Sequence, residues 1–181
     1  TSTGHVRSTI GMSSGKWYCE YTHGTGLGMV GLADGMTDTA LYLGQSTGGN
    51  GYGYYNDGGN KYNNDGGSSY GASYTTGDVI GVAFDADAGT LTFYKNNTSQ
   101  GTAFTGLTSG PYFFAVGVDT MAGAFMNFGA RSFSYTPPTG YKALNTYNLP
   151  DPVITDPSKY FAASVYTGAG SSVDVSTNFS P

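Results

Sequence analysis

Residues 77–94 decide the fold of this chain, and they read Gly77-Asp78-Val79-Ile80-Gly81-Val82-Ala83-Phe84-Asp85-Ala86-Asp87-Ala88-Gly89-Thr90-Leu91-Thr92-Phe93-Tyr94. Large apolar residues occupy every second position on both sides of a central turn. They are Ile80, Val82 and Phe84 before the turn and Leu91 and Phe93 after it. A period of two is typical of strands with one buried face, and Asp, Ala and Gly suit a tight turn. We therefore predict a β-hairpin with strands at 79–84 and 90–94.

The same pattern recurs on both sides of this hairpin. In residues 16–21 it places Trp17, Cys19 and Tyr21 on one strand face and Lys16, Tyr18 and Glu20 on the other. Further strands are predicted at 29–33, 112–118 and 124–128. Clusters of Gly, Asn, Asp and Ser separate these runs, as in an antiparallel sandwich. Thirty Gly, sixteen Tyr and ten Phe agree with a chain that forms strands and no long helix.

Between residues 44 and 74 the chain becomes rich in Gly, Asn and Tyr. We predict a short strand at 52–55 with long loops on either side. Tyrosine gives rigid contact area and asparagine gives adaptable hydrogen bonds, which is the chemistry of many binding sites. The predicted ligand contacts are Tyr52, Tyr54, Tyr55, Asn56, Asp57, Asn60, Tyr62, Asn63, Asn64 and Asp65. Strand alternation should bury one of the neighbours Tyr54 and Tyr55, so part of this list should point inward.

Prolines mark the end of the first domain. Five of the seven lie late in the chain, at Pro137, Pro138, Pro150, Pro152 and Pro157. Because proline fixes φ and disfavours helix, this stretch should wrap the domain and then leave it as a semi-rigid linker. We predict a β-sandwich over 1–148, a Pro-rich linker over 149–159, and a β-hairpin or the first strands of a following module over 160–181.

Charge and composition exclude several classes of partner. The net charge is −5, and the seven Lys and Arg residues are scattered singly, so no basic stripe for nucleic acid exists. No apolar run is long enough to insert into a membrane. A single Cys and two His cannot form a structural zinc site, and we expect no metal or other cofactor. Cys19 and the single Trp17 are expected in the core.

The residues that catalysis would need are sparse. His5 and His23 are the only histidines, and both are expected at the surface or in turns. Glu20 is the only Glu and lies within a predicted strand, so a triad or a carboxylate pair is not indicated. We predict that the chain is not an enzyme.

Two short motifs resemble ligand loops in letters only. Asp85-x-Asp87-x-Gly89 resembles the start of a calcium loop, but no Glu follows to close it, and aspartates that bond to turn amides are the simpler interpretation. Gly26-x-Gly28-x-x-Gly31 runs into a predicted strand, whereas a dinucleotide loop would open a helix.

Four blocks in order resemble the SPRY domain family. They are residues 15–20, residues 30–34, the hairpin 77–94, and Asn127-Phe128-Gly129 followed by Phe133, Tyr135, Pro137, Pro138, Gly140 and Tyr141. The resemblance extends from about residue 8 to residue 145. It implies a bent, concanavalin-like sandwich of two antiparallel sheets, which binds partners through loops at one end and has no chemistry of its own.

Within that family the chain looks closer to SPRY modules embedded in large structural proteins of bacteriophages than to animal members. The segments that carry this resemblance are residues 143–150 and Tyr166-Thr167-Gly168. The resemblance implies a place in a virion, on the particle surface. In that setting a homo-oligomer would repeat weak sites and raise avidity.

Three hypotheses for function follow from these observations. The first is a recognition module of a phage fibre or appendage that binds a host-surface glycan or protein through the Tyr/Asn/Gly-rich loops. The second is a structural spacer whose residues 149–181 assemble with a neighbouring virion subunit. The third is a SPRY adaptor that recognises a peptide.

Overall fold

The computed structural model describes residues 4–45 and 50–150, together with Asp156 and Gly170. Residues 1–148 belong to one compact unit. Apart from Leu149, Pro150, Asp156 and Gly170, the predicted linker and C-terminal hairpin lie outside the described residues. No helix in the described part of the chain is long and apolar enough to cross a membrane.

The described residues form short strands and one 3₁₀ turn, at Thr146–Asn148. The strands are β1 (Gly4–Arg7), β2 (Lys16–Thr22), β3 (Gly28–Asp34), β4 (Gly51–Tyr55), β5 (Asn60–Asn63), β6 (Gly66–Ser69), β7 (Val79–Asp85), β8 (Thr90–Lys95), β9 (Thr98–Phe104), β10 (Tyr112–Val118), β11 (Phe125–Asn127) and β12 (Lys142–Ala143).

These strands make two sheets. Sheet A has the order β1-β10-β3-β4-β5-β6, and sheet B has the order β11-β2-β7-β8-β9. All neighbours within these orders are antiparallel, and β12 adds a short parallel pairing to β2. The predicted all-β sandwich of two antiparallel sheets is confirmed.

The core forms where the predicted hairpin pairs with β2. In the β2–β7 register, Trp17 faces Phe84, Cys19 faces Val82 and Tyr21 faces Ile80. All six side chains are buried, as are Leu91 and Phe93 on β8. Full burial of one large apolar side chain contributes about 1.5–3 kcal/mol. The expected places of Trp17 and Cys19 in the core are confirmed, and burial raises the pKa of the Cys19 thiol.

The other face of β2 is covered by the segment that leads into Pro137 and Pro138. The rings of Tyr18 and Phe133 meet edge to face with centroids 5.1 Å apart. The buried Glu20 carboxylate accepts hydrogen bonds from the backbone N–H groups of Ser134, at 2.7 Å, and Tyr135, at 2.8 Å. This segment therefore wraps sheet B, as its prolines predict, and the only glutamate of the chain holds it there.

The β7–β8 turn supports the structural interpretation of its aspartates. Asp85 Oδ1 accepts from the backbone N–H of Ala88 at 3.0 Å, and Asp85 Oδ2 pairs with Lys16 Nζ at 2.8 Å. Burial would raise the pKa of Asp85, but the Lys16 ammonium and the turn amides outweigh it and lower that pKa. The Asp87 carboxylate accepts a hydrogen bond from the Gly15 N–H and does not share a metal site with Asp85. Among the described residues, no group of three or more His, Cys, Asp or Glu could hold a metal ion.

Both histidines are buried, so the expectation of surface histidines was wrong. His5 lies in β1, whereas His23 lies in the connection that follows β2, as predicted. His23 Nδ1 lies 2.8 Å from the Tyr21 hydroxyl, and Nε2 lies 3.2 Å from the Gly26 carbonyl oxygen. His5 Nδ1 lies 3.0 Å from the Leu41 carbonyl oxygen. A neutral imidazole can donate from one nitrogen and accept at the other, which lets it replace water contacts inside a fold. Burial lowers the pKa of both side chains.

We expect Glu20→Gln to lower the free energy of unfolding by about 2 kcal/mol. The buried carboxylate accepts from two backbone N–H groups, and the neutral amide keeps only one oxygen that can accept. Urea denaturation measures the change. Asp57→Asn is the control, since Asp57 is exposed and its substitution should shift stability by less than about 0.5 kcal/mol. Equal unfolding midpoints for the two variants would show that Glu20 does not anchor the wrapping segment.

We expect the protein to lose thermal stability as the pH falls from about 7.5 to about 5.5. The pKa of His23 is lowered in the folded state. As the pH falls through its ordinary value of 6.5, this imidazole therefore takes up a proton in the unfolded chain before it does so in the folded protein. Stability is therefore full above that pH and declines below it. The glutamine side chain of His23→Gln cannot titrate, so the thermal denaturation midpoint of this variant should fall less over the same pH range. Parallel declines in both proteins would contradict this assignment.

Candidate functional site

The Tyr-rich segment folds as a three-stranded meander, β4–β5–β6. The strand predicted at 52–55 is β4, and the long loop predicted after it was wrong, whereas the described residues before it, 35–45 and 50, form no strand. Four residues, 56–59, connect β4 to β5, and Gly58 and Gly59 both have positive φ. Asn64 and Asp65, with φ of 51° and 58°, connect β5 to β6. Two consecutive residues with positive φ are typical of a type I′ hairpin turn, which Asn, Asp and Gly adopt most readily. The Gly and Asn that resemble loop composition are turn residues here.

Alternation along β4 turns two of the predicted contacts inward. The Tyr52 ring lies against Phe104 and Tyr112, with centroids 5.1 and 5.9 Å away. Tyr54 is 0% exposed and packs on Phe93 of sheet B, with centroids 5.1 Å apart. Burial, with a smaller effect from Asp78, raises the pKa of Tyr54 to about 12. The prediction of Tyr54 as an exposed ligand contact was therefore wrong, since it joins the two sheets.

Two of the predicted asparagines hold the meander in place. The buried Asn56 accepts from the Gly28 N–H at 2.9 Å through Oδ1 and donates to the Gly26 carbonyl through Nδ2. Asn63 Nδ2 donates to the Gly51 carbonyl at 2.8 Å. Both side chains are used by backbone groups, so Asn56 was also wrong as an exposed contact.

Three tyrosines lie on the opposite, outer face of sheet A. Tyr55 and Tyr62 meet at an interplanar angle of 89° with ring centroids 5.9 Å apart. Tyr42 joins them from the segment that crosses this face between β3 and β4. All three are half-buried and pack against a small core formed by Met29, Ala33, Leu43 and Ala115. We call Tyr42, Tyr55 and Tyr62 the tyrosine face.

One glycine allows the crossing segment to approach this closely. Gly44 has a φ of +98°, a conformation that side chains disfavour. A Cβ at this position would lie 2.8 Å from the Tyr62 carbonyl oxygen and 2.9 Å from Tyr62 Cβ. The tight approach brings Tyr42 beside Tyr62.

Three carboxylates border the tyrosine face. Asp65 Oδ1 accepts a hydrogen bond from the Tyr42 hydroxyl at 3.0 Å. Burial, and then the charges of Asp57 and Asp119, raise the pKa of Tyr55. A small cavity of about 20 Å³ lies between Tyr42, Tyr55 and Asp119. We call Asp57, Asp65 and Asp119 the acidic rim.

The structure therefore brings together part of the predicted site. Tyr55, Asp57, Tyr62 and Asp65 meet at the tyrosine face. Asn60 shares the strand face of Tyr62, and the exposed Asn64 precedes Asp65 in its turn.

Sequence reasoning missed two members of the site, Tyr42 and Asp119. Tyr42 stands in the short apolar run Leu41-Tyr42-Leu43, which signals packing but not a partner strand. Asp119 directly follows the predicted strand 112–118, whose neighbour in the sheet could not be read from its own residues.

Larger cavities lie elsewhere on the unit. One, of about 330 Å³, is lined by apolar side chains that include Val6, Val116 and Met121. Another, of about 340 Å³, is lined by residues that include Arg131, and a third, of about 300 Å³, by residues that include Arg7. None of these three is lined by a predicted site residue.

Comparisons with known proteins agree with the blocks quoted from the sequence. A family model described as SPRY domain matches residues 16–131. The chain is also 39% identical over 79 residues to the E3 ubiquitin-protein ligase RKP of Arabidopsis thaliana. That match covers 41% of this chain and only 6% of the plant protein, and it gives no support to a bacteriophage setting.

We expect Tyr54→Ala to lower the free energy of unfolding by about 3–5 kcal/mol, because a fully buried ring between the sheets is lost. Tyr62→Ala should cost about 1 kcal/mol, because this ring is half-buried on the outer face. Urea denaturation of both variants measures the difference. Equal losses would contradict the assignment of the two tyrosines to opposite faces.

Proposed function

Because the chain belongs to the SPRY domain family, we propose that it is a non-catalytic binding module that recognises a protein partner through the tyrosine face and its acidic rim. SPRY domains are generally protein-interaction modules, and they are typically not catalytic. This proposal follows the peptide-binding alternative more closely than the virion hypothesis.

The tyrosine face is the observation that carries the proposal. Its rings are half-buried, so their positions are set by the core beneath them while part of each ring still faces solvent. Tyrosine is enriched among the residues that dominate binding energy, because it buries a large area at little cost in side-chain entropy. Three such rings beside free carboxylate oxygens offer both contact area and polar anchors.

The face is also preorganised. Tyr55 and Tyr62 stand on neighbouring strands of a six-stranded sheet, and the Tyr42–Asp65 hydrogen bond ties the crossing segment to the β5–β6 turn. A surface that is already ordered loses less entropy when a partner binds. A short peptide segment could therefore bind here with useful affinity.

The plant relative does not define a role for this chain. Its name describes a ubiquitin ligase, and the match covers only 6% of that protein. We propose only that this chain supplies a binding surface to whatever larger protein contains it.

A host-surface glycan is a second candidate ligand. Asn60 and the exposed Asn64 lie near the tyrosine rings, and aromatic rings beside amides and carboxylates suit sugars as well as peptides. The virion location, a homo-oligomer and assembly through residues 149–181 stay predictions.

Selection from a randomised peptide display library with the full chain as bait tests the proposal. We expect enriched peptides whose affinity falls about 30-fold or more in Tyr62→Ala, the loss typical of a central aromatic contact. Fluorescence polarisation with labelled peptides measures this loss. The control is Tyr147→Ala, because Tyr147 is 96% exposed and lies outside the tyrosine face.

Peptides that bind both variants equally would show that the partner uses another surface. A glycan array probed in parallel distinguishes the second candidate. Tyr62-dependent binding of a glycan, with no enriched peptide, would overturn the protein-partner proposal.

A further inference from the structure

The acidic rim is not neutralised within the described part of the chain. The ion pairs found there are Lys16–Asp85 and Lys95–Asp78, and neither includes Asp57, Asp65 or Asp119. Asp57 and Asp65 are exposed, and Asp119 is partly exposed. Three negative charges thus lie around the three tyrosines, and no cation among the described residues forms an ion pair with them.

The nearest cations by sequence and sheet position point elsewhere. Lys61 neighbours Tyr62 in β5, but its ammonium donates to the Ala103 carbonyl and lies 5.2 Å from the Phe104 ring centroid, between the sheets. Arg7 lies over Phe113 and donates to the Asp34 carbonyl. Asp34 is at the far end of β3 from Met29, roughly 17 Å along the strand.

The rings add a second attraction for a cation. Tyr55 and Tyr62 stand nearly perpendicular, which makes a corner with one ring face toward the edge of the other ring. A cation within about 6 Å of an aromatic face is attracted by the ring quadrupole, and nearby carboxylates add a Coulombic term that water screens only partly. Aliphatic stems of Lys and Arg also pack well on aromatic surfaces.

We infer that the tyrosine face selects a partner segment with a lysine or arginine side chain, which lies against Tyr55 and Tyr62 and pairs with the acidic rim. This inference rests on the proposed function and gives the partner's chemistry, a basic peptide. Acidic segments are disfavoured because their carboxylates would meet like charges, and neutral segments lose the charge attraction.

The test uses small probes whose binding does not require a known partner. The full chain is titrated with N-acetyl-arginine methylamide, N-acetyl-lysine methylamide and the uncharged N-acetyl-norleucine methylamide, and backbone amide shifts are followed by NMR. We expect saturable shifts at Tyr55, Tyr62 and Asp65 with the two cationic probes. Binding should weaken about three- to tenfold in Asp57→Asn/Asp119→Asn and should also weaken at about 0.5 M salt.

Asp38→Asn is the control for loss of a carboxylate outside the acidic rim. Asp38 is exposed, and its Oδ1 accepts from the Ala40 N–H, a bond that an asparagine oxygen can keep. This variant should bind the cationic probes as the unmodified protein does.

The inference fails if norleucine shifts the same amides as strongly as arginine, or if the double variant binds arginine unchanged. If either result occurs while the peptides from the display selection still depend on Tyr62, only the preference for a charged partner is excluded. Peptides that bind independently of Tyr62 would instead remove the proposed function.

Discussion

The core of the sandwich is built on the register between β2 and β7. This register places Trp17, Cys19 and Tyr21 opposite Phe84, Val82 and Ile80, so one face of sheet B becomes continuous apolar surface. A slip of one residue would turn this whole set outward, and the sandwich would lose its core. The same register frees the other face of β2, where Glu20 accepts the amides of the wrapping segment.

The binding surface is a consequence of the same period of two in sheet A. Along β4 the inward positions supply the rings of Tyr52 and Tyr54, which fill space between the sheets. The outward positions of β4 and β5 supply Tyr55 and Tyr62. The outer rings become a surface only because the segment through Leu43 and Gly44 covers the strand backbones beneath them. Core packing and recognition thus share one short stretch of chain, and their side chains differ only in the face they occupy.

Electrostatics divide the two faces further. Buried polar groups such as Glu20, His23 and Asn56 are matched by backbone partners, which removes the cost of their burial. The carboxylates around the tyrosine face form no ion pair with the cations that the structure describes, although Asp65 accepts a hydrogen bond from Tyr42. In a chain with few charges, three such carboxylates at one face are the basis for the preference for a basic partner inferred above.

Local pattern in the sequence determined the hairpin, the inward faces of β2 and β7, the core positions of Trp17 and Cys19, and the turn role of Asp85, because each depends on neighbours one or two residues away. The β5–β6 turn also has a local signal, because Asn64 and Asp65 are residue types that adopt positive φ readily. Only the tertiary structure decided that Tyr54 is core and Tyr55 is surface, that His5 and His23 are buried, and that Tyr42 and Asp119 join the site. Alternation separates the two faces of a strand, but which face is buried depends on what distant segments pack against it.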